Sequence, residues 1–183
     1  MDSLIAEKIK VADFLEMEAE PGFIYELING EIVKKGAPNP KHQLALKKLL
    51  IRIDNFVEQK KLGTVLTSPL DVFLGEYNSV QPDLLFVSKK REEIITDNGV
   101  EGAPDLIVEI LSPSTMKHDR GSKMKIYRQH QVREYWIVDP KNQSIEVYHL
   151  QNNEYDLVSF AVEEGEVTSE VLPGLSLAVA SVF

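Results

Sequence analysis

The feature that most constrains the fold is an apolar run at residues 106–111, which a single charged residue, Glu109, interrupts. A strand covered on both faces of its sheet has this near-continuous apolar pattern, whereas a strand with one solvated face alternates. The run therefore predicts a central strand in a sheet with other structure packed on both sides. It also predicts that the Glu109 carboxylate is buried.

Two helical patterns supply the layers that such a sheet needs. In residues 41–61 apolar side chains recur at three- and four-residue steps, and residues 112–115 are typical of the turn and N-cap before a second helix that ends near residue 130. Continuous apolar strands and alternating strands occur around these helices, and together they predict an α/β (α+β) fold with a mixed central sheet. A short N-terminal helix, a β-hairpin at Asn29-Gly30 and β segments after residue 155 complete the predicted order.

Length and composition narrow the class of protein. A chain of 183 residues suits one domain, 1–183, and the absence of cysteine excludes disulfides, thiolate nucleophiles and zinc-thiolate sites. Residues 1–10 lack the apolar region of a signal peptide, so a cytoplasmic protein with no membrane association is expected. The net charge of −9 argues against tight nonspecific binding to nucleic acid, but it argues less against a nuclease whose site holds a cation.

Glu109 is the most informative candidate for a functional residue. A carboxylate among apolar neighbours is costly unless it is paired, hydrogen-bonded or bound to a metal ion. A salt bridge to a nearby lysine or arginine explains it as well as a functional role does.

Asp83 is the second candidate. It follows Pro82 within residues 80–87, which we interpret as one strand with the proline near its start. Taken alone, Asp83 fits a solvated turn residue. Paired with Glu109 on an adjacent strand, it could help to hold Mg²⁺, which prefers oxygen ligands.

Lys123 is the third candidate. Asp119, Lys123 and Tyr127 are four residues apart and share one face of the second predicted helix. A lysine beside two carboxylates and a metal ion could orient a water or stabilise charge on a phosphate. A surface lysine paired with Asp119 is the ordinary alternative.

Two further residues are secondary candidates, and several chemistries fit poorly. Glu26 lies in an apolar strand and suits an extra ligand or an ion pair equally well, and Tyr127 could orient a carboxylate. His42, near a helix start, is interpreted as a cap or packing residue and is left out of the catalytic set. The sequence has no glycine-rich phosphate loop, no histidine pair spaced for zinc and no nucleophile elbow.

A family resemblance joins these residues. Val80-Gln81-Pro82-Asp83 followed by Val108-Glu109-Ile110 resembles the PD-(D/E)XK nuclease motif. Nearly the whole chain resembles the Uma-type restriction endonuclease family, and the segments that carry this resemblance are residues 25–31, 42–43, 82–84, 103–115, 119–123 and 134–140.

The resemblance implies a restriction endonuclease-like αβββαβ core and an endonuclease that hydrolyses phosphodiester bonds of nucleic acid, DNA in the first place, with Mg²⁺ or Mn²⁺. Asp83 and Glu109 match the two acids of the motif and would bind the metal with the backbone carbonyl of Ile110. The motif lysine should be residue 111, which is leucine here, and Lys123 on the following helix is where the family places it.

Two questions stay open at this point. Restriction-type nucleases often pair two sites to cut two strands, so a homodimer is one expected arrangement. The missing motif lysine and the net negative charge favour an alternative, in which the fold serves as a binding or structural module with little turnover.

Overall fold

The computed structural model describes residues 7–183. Residues 1–6, which belong to the segment inspected for a signal peptide, lie outside the described residues. Within the described range, none of the helices combines the length and the apolar character needed to cross a membrane.

The helices of residues 7–183 are α1 (Val11–Leu15), α2 (Pro40–Lys60), α3 (Met116–His118) and α4 (Met124–Gln129). A π-helical turn (Asp119–Lys123) joins α3 to α4, so residues 116–129 form one helical rod, and 3₁₀ turns lie at Lys89–Ile94 and Val179–Ser181. Strands β1 to β14 follow in chain order as Ile24–Ile28, Glu31–Lys35, Gly63–Thr67, Val72–Phe73, Ser79–Val80, Leu84–Ser88, Ile95–Thr96, Gly99–Glu101, Leu106–Ile110, Glu134–Asp139, Ser144–Gln151, Glu154–Val162, Glu166–Thr168 and Ser176–Ala178.

The central sheet has the strand order β12-β11-β10-β9-β6-β3. Strands β9 and β10 are parallel, while the other neighbouring pairs are antiparallel, so the sheet is mixed as predicted. The chain order α2, β3, β6, β9, residues 116–129, β10 is the αβββαβ core that the resemblance implied. The predicted fold class is therefore confirmed.

A second sheet, β2-β1-β5-β4-β8-β7, begins with the predicted hairpin. Its turn residues Asn29 and Gly30 have φ angles of 54° and 81°. Positive φ at both central positions characterises the tight turns that match the twist of a two-stranded hairpin, and Asn-Gly suits them. The short strands Glu166–Thr168 and Ser176–Ala178 pair separately near the C-terminus.

The prediction of one strand at residues 80–87 was wrong. The segment forms β5 and β6, which lie in different sheets, and Gln81-Pro82-Asp83 passes between them. Proline cannot donate to a strand ladder, and here it ends one strand before the next begins. This break leaves Asp83 just outside β6, at the junction of the two sheets.

Apolar residues cover both faces of the central sheet. One face packs against α2 through residues such as Leu49 and Ile53. The other face contacts residues 116–129 through Ile126 and Tyr127. Alternation along β9 places Val108 on the α2 face and Glu109 on the opposite face, which is the face that the rod of residues 116–129 covers.

Candidate active site

The two predicted acidic residues lie side by side in the structure. Strands β6 and β9 are antiparallel, with Leu84 opposite Val108, so the register continued by one residue puts Asp83 opposite Glu109. Directly opposed residues of an antiparallel pair project from the same face of the sheet. Asp83, Glu109 and Ile110 accordingly line one cleft of about 270 Å³, together with Lys35 and His42.

Asp83 is held through one of its two oxygens. Its Oδ2 accepts a hydrogen bond from the backbone N–H of Ile110 at 2.7 Å and lies 3.1 Å from Nε2 of His42. Within residues 7–183, Oδ1 of Asp83 accepts no hydrogen bond. The side chain is therefore fixed on one side and leaves an oxygen for a ligand.

Glu109 is held in the same one-sided way. Its Oε1 accepts hydrogen bonds from Nζ of Lys123 at 2.8 Å and from the hydroxyl of Tyr127 at 2.6 Å. Its Oε2 has no hydrogen-bond donor among the described side chains and backbone groups. Both candidate residues from the second predicted helix thus meet the carboxylate of Glu109.

Lys123 lies behind Glu109 and outside the residues that line the cleft. The residue is 0% exposed, and its ammonium group also lies 2.9 Å from Oε1 of Glu26 and 3.5 Å from Oδ1 of Asp119. In this arrangement Lys123 compensates several buried carboxylates at once. A direct contact with a substrate in the cleft would require the side chain to move.

The π-helical turn (Asp119–Lys123) helps to explain how one lysine reaches this position. Such turns insert a wider loop of backbone into a helix and change the direction of the side chains that follow. Asp119 and Lys123 stand at the two ends of the turn, and both are buried. The spacing of four residues put them on one predicted face, but the pattern gave no sign of the wider turn.

Glu26 connects the buried cluster to the cleft. Its Oε1 accepts a hydrogen bond from the backbone N–H of Gln81 at 2.7 Å, and Nζ of Lys35 lies 3.0 Å away. Lys35 lines the cleft, while Glu26 is 0% exposed. A chain of alternating charges therefore runs from Lys35 through Glu26 and Lys123 to Glu109.

Burial dominates the acid–base behaviour of Glu109. Burial and the neighbouring carboxylates of Asp119 and Asp83 raise the pKa of its carboxyl to about 8. Together they outweigh the attraction of Lys123, which lowers it. Burial would raise the pKa of Glu26 too, but Lys123, Lys35 and the N–H of Gln81 outweigh it and hold that pKa below its ordinary value. The two glutamates share Lys123, and Glu26 has the additional partners.

The ammonium group of Lys123 stays protonated. Burial lowers its pKa, but Glu109, Glu26 and Asp119 outweigh burial and raise the pKa well above 10.5. Burial also raises the pKa of Tyr127 well above 10, so that its hydroxyl remains a donor to Glu109. Neither side chain can accept a proton near neutral pH.

The donor set of the cleft fits a divalent cation of the Mg²⁺ type. Mg²⁺ is usually bound through one or two carboxylates and keeps several waters. Asp83, Glu109 and Ile110 line one cleft, and their carboxylate and backbone carbonyl oxygens are of the type that Mg²⁺ prefers. No group of three or more His, Cys, Asp or Glu side chains arranged to hold a metal occurs in residues 7–183.

Sequence analysis missed two residues of the cleft. His42 was interpreted as a cap or packing residue, yet its Nε2 contacts Asp83. Lys35 was not singled out, and it ends the hairpin strand β2 beside Glu26. Asp83 is distant from His42 in sequence, so only the position of His42 within the segments that resemble the family could have drawn attention to it. Lys35 and Glu26 lie on the two strands of the predicted hairpin, which was the available signal for Lys35.

The mixed sheet and its covering helices have the arrangement of the restriction endonuclease-like fold. The chain belongs to the Uma2 family, described as "Putative restriction endonuclease", and matches it over residues 11–180.

Two relatives cover nearly the whole chain. The uncharacterized protein slr1290 of Synechocystis is 24% identical over 180 residues, which are 96% of this chain and 92% of that protein. The crystal structure of "a putative nuclease belonging to DUF820" from Anabaena variabilis superposes with a TM-score of 0.76 at 22% identity, covering 96% of this chain and 97% of the other. This structural likeness establishes the shared fold.

Proposed function

We propose that the protein is a metal-dependent endonuclease that hydrolyses phosphodiester bonds of nucleic acid. The observation that carries this proposal is that Asp83 and Glu109 line one cleft, each with one oxygen held and one oxygen free of hydrogen bonds from the described residues. Membership of a family described as restriction endonucleases supports the same reaction class.

Asp83, Glu109 and the backbone carbonyl of Ile110 would hold the cation, Mg²⁺ or Mn²⁺. Such a cation, when bound, lowers the pKa of a coordinated water and neutralises charge on a phosphate. Binding at Glu109 requires its carboxylate to be ionised, so the cation competes with the proton that burial favours.

Lys123 completes the proposed catalytic set, and its contacts support a positioning role. It holds Oε1 of Glu109 together with Tyr127, which directs the other oxygen of that carboxylate to the cleft. Lys35 is the ammonium group that lines the cleft, so we propose that it contacts a phosphate of the substrate.

DNA is the proposed substrate, a homodimer the proposed assembly and the cytoplasm the proposed location. Residues 1–183 are proposed to form one domain. Restriction-type nucleases often pair two sites to cut the two strands of a duplex, which is the reason for the dimer. The net charge of −9 makes the divalent cation important for bringing a polyanion to the cleft.

A second candidate function is a binding or structural module with the nuclease fold and little turnover. The observations that favour it are that Leu111 occupies the motif lysine position and that Lys123, fully buried, lies outside the cleft lining.

A cleavage assay separates the two candidates. Supercoiled plasmid, single-stranded DNA and RNA would each be incubated with Mg²⁺, Mn²⁺ or a chelator, using wild-type protein and the variants Asp83→Asn and Glu109→Gln. Metal-dependent cleavage that both substitutions abolish supports the nuclease. Cleavage that persists in both variants would remove Asp83 and Glu109 from the active site, and metal binding without any cleavage would favour the module.

A further inference from the structure

His42 is a buried residue beside the candidate metal ligands that has no role in the function proposed so far. It is the third residue of α2, and the side chain of Asn39, which caps that helix, accepts a hydrogen bond from its backbone N–H at 3.0 Å. This cap fixes the helix start and, with it, the imidazole at the wall of the cleft. The residue is 6% exposed, and Nε2 of its ring lies 3.1 Å from Oδ2 of Asp83.

The two ring nitrogens of His42 have different surroundings. Nε2 contacts Oδ2 of Asp83, while Nδ1 is buried and has no hydrogen-bond partner among residues 7–183. An N–H at Nδ1 would be buried without an acceptor, which costs free energy, so the arrangement assigns the proton to Nε2. His42 therefore donates to Asp83.

Two donors then converge on one oxygen of Asp83. The N–H of Ile110 at 2.7 Å and the N–H of His42 both bind Oδ2. The terminal torsion of an aspartate is broad and soft, so one bond alone leaves the carboxylate free to turn about it. A second donor from a different element, the start of α2, fixes the plane of the group.

We infer that His42 is a positioning residue that orients Asp83 so that Oδ1 faces the cation in the cleft. This inference rests on the proposed function, because it takes Asp83 as a metal ligand. Hydrogen-bond partners behind metal ligands typically change metal affinity by about 10- to 100-fold when they are removed.

Two conservative substitutions of His42 separate this role from a structural one. The amide nitrogen of glutamine stands the same number of bonds from Cβ as Nε2 of histidine, so the side chain introduced by His42→Gln can still donate to Asp83. The amide of asparagine matches Nδ1 instead, and in His42→Asn it falls short of Asp83. Both replacements are polar and uncharged, which makes them a matched pair.

The test is calorimetric titration of chelator-stripped protein with Mn²⁺, accompanied by urea unfolding of each variant. His42→Asn should lower Mn²⁺ affinity by about 10- to 100-fold, and His42→Gln should stay close to wild type at a similar unfolding midpoint. His42→Leu supplies a second variant without a donor should His42→Asn fold poorly.

Equal Mn²⁺ affinities in wild type, His42→Asn and His42→Leu would overturn the positioning role while leaving the metal site intact. Equal losses in His42→Asn and His42→Gln would overturn it as well, because the retained donor would then have no effect. Failure of the wild-type protein to bind Mn²⁺ would instead remove the metal site of the proposed function, and the inference with it.

Discussion

Glu109 has a carboxyl that is favoured in its protonated form when no cation is present. Burial raises its pKa to about 8, above the value of about 4.5 that it has when solvated. A carboxyl whose pKa is raised by folding contributes stability that is fully present below the unfolded pKa and is lost as pH rises through the folded pKa. The relevant window therefore runs from about pH 4.5 to about pH 8.

We expect the free energy of unfolding of chelator-treated wild-type protein to fall across this window. One proton linked to folding corresponds to a slope of up to about 1.4 kcal/mol per pH unit. Glu109→Gln cannot ionise and should have a flatter profile in urea unfolding, while Glu31→Gln, an exposed control on β2, should follow wild type. If the free energies of unfolding of wild type and Glu109→Gln changed in parallel with pH, the raised pKa of Glu109 would be contradicted.

Lys123 compensates buried carboxylates, so its removal should be costly. Replacing one partner of a buried ion pair leaves an uncompensated charge, and we expect Lys123→Met to lower the free energy of unfolding by about 3–5 kcal/mol. Lys125→Met, at an exposed position of the same helix, should change it little. Urea unfolding measures both variants.

Measured above about pH 8, where Glu109 is ionised, the double variant Lys123→Met, Glu109→Gln should recover part of that loss, because it removes a charge that Lys123 compensated. A double variant whose change equals the sum of the two single changes would indicate that Lys123 and Glu109 do not depend on each other.

At the scale of elements, the sequence predicted most of the framework. Local signals were sufficient where one segment determines its own structure, as at the Asn29-Gly30 turn, the helix α2 and the apolar strand β9. The division of residues 80–87 between two sheets was missed, because strand propensity is similar on both sides of Pro82 and tertiary pairing decides the outcome.

The candidate site was likewise predictable only where a local signal in the sequence was strong. Glu109 stood out because its neighbours are apolar, and Lys123 was chosen for its position on the second predicted helix. The contact between His42 and Asp83 spans 41 residues, and nothing in the local pattern of either segment indicates it. Contacts of this kind depend on how α2 and β6 pack, which residue spacing does not encode.

The π-helical turn offers a prediction about an element. Gly121 lies within it, and a Cβ built there meets no atom within 4 Å. We expect Gly121→Ala to raise the free energy of unfolding by about 0.4–1 kcal/mol, because alanine restricts the unfolded chain and favours a helical backbone.

At Gly63, in contrast to Gly121, an alanine is expected to lower the free energy of unfolding. Its φ is +154°, and a Cβ there would overlap the carbonyl oxygen of Val87 on the neighbouring strand. Gly63→Ala should therefore destabilise the protein. If Gly121→Ala instead lowers the free energy of unfolding, the π-helical turn requires a backbone conformation that glycine adopts more readily than alanine.

For the molecule as a whole, cation binding in the cleft should be linked to overall stability. A ligand that binds only the folded state stabilises it by mass action, by about 2.7 kcal/mol at about 100 times its Kd. For a protein of this length, that corresponds to an increase of about 5–10 °C in Tm. Mg²⁺ should thus raise the Tm of wild-type protein in a thermal-unfolding experiment but not that of Glu109→Gln, and equal increases would exclude Glu109 as a ligand.

Anomalous diffraction from Mn²⁺ would show whether Asp83 and Glu109 together hold a divalent cation in the cleft. Crystals soaked in Mn²⁺ would be measured at a wavelength where manganese scatters anomalously. We expect an anomalous peak in the cleft, bound by one oxygen of Asp83 and one of Glu109, with Lys123 still on the other oxygen of Glu109. An empty cleft at saturating Mn²⁺, or a peak that only one of the two carboxylates contacts, would contradict it.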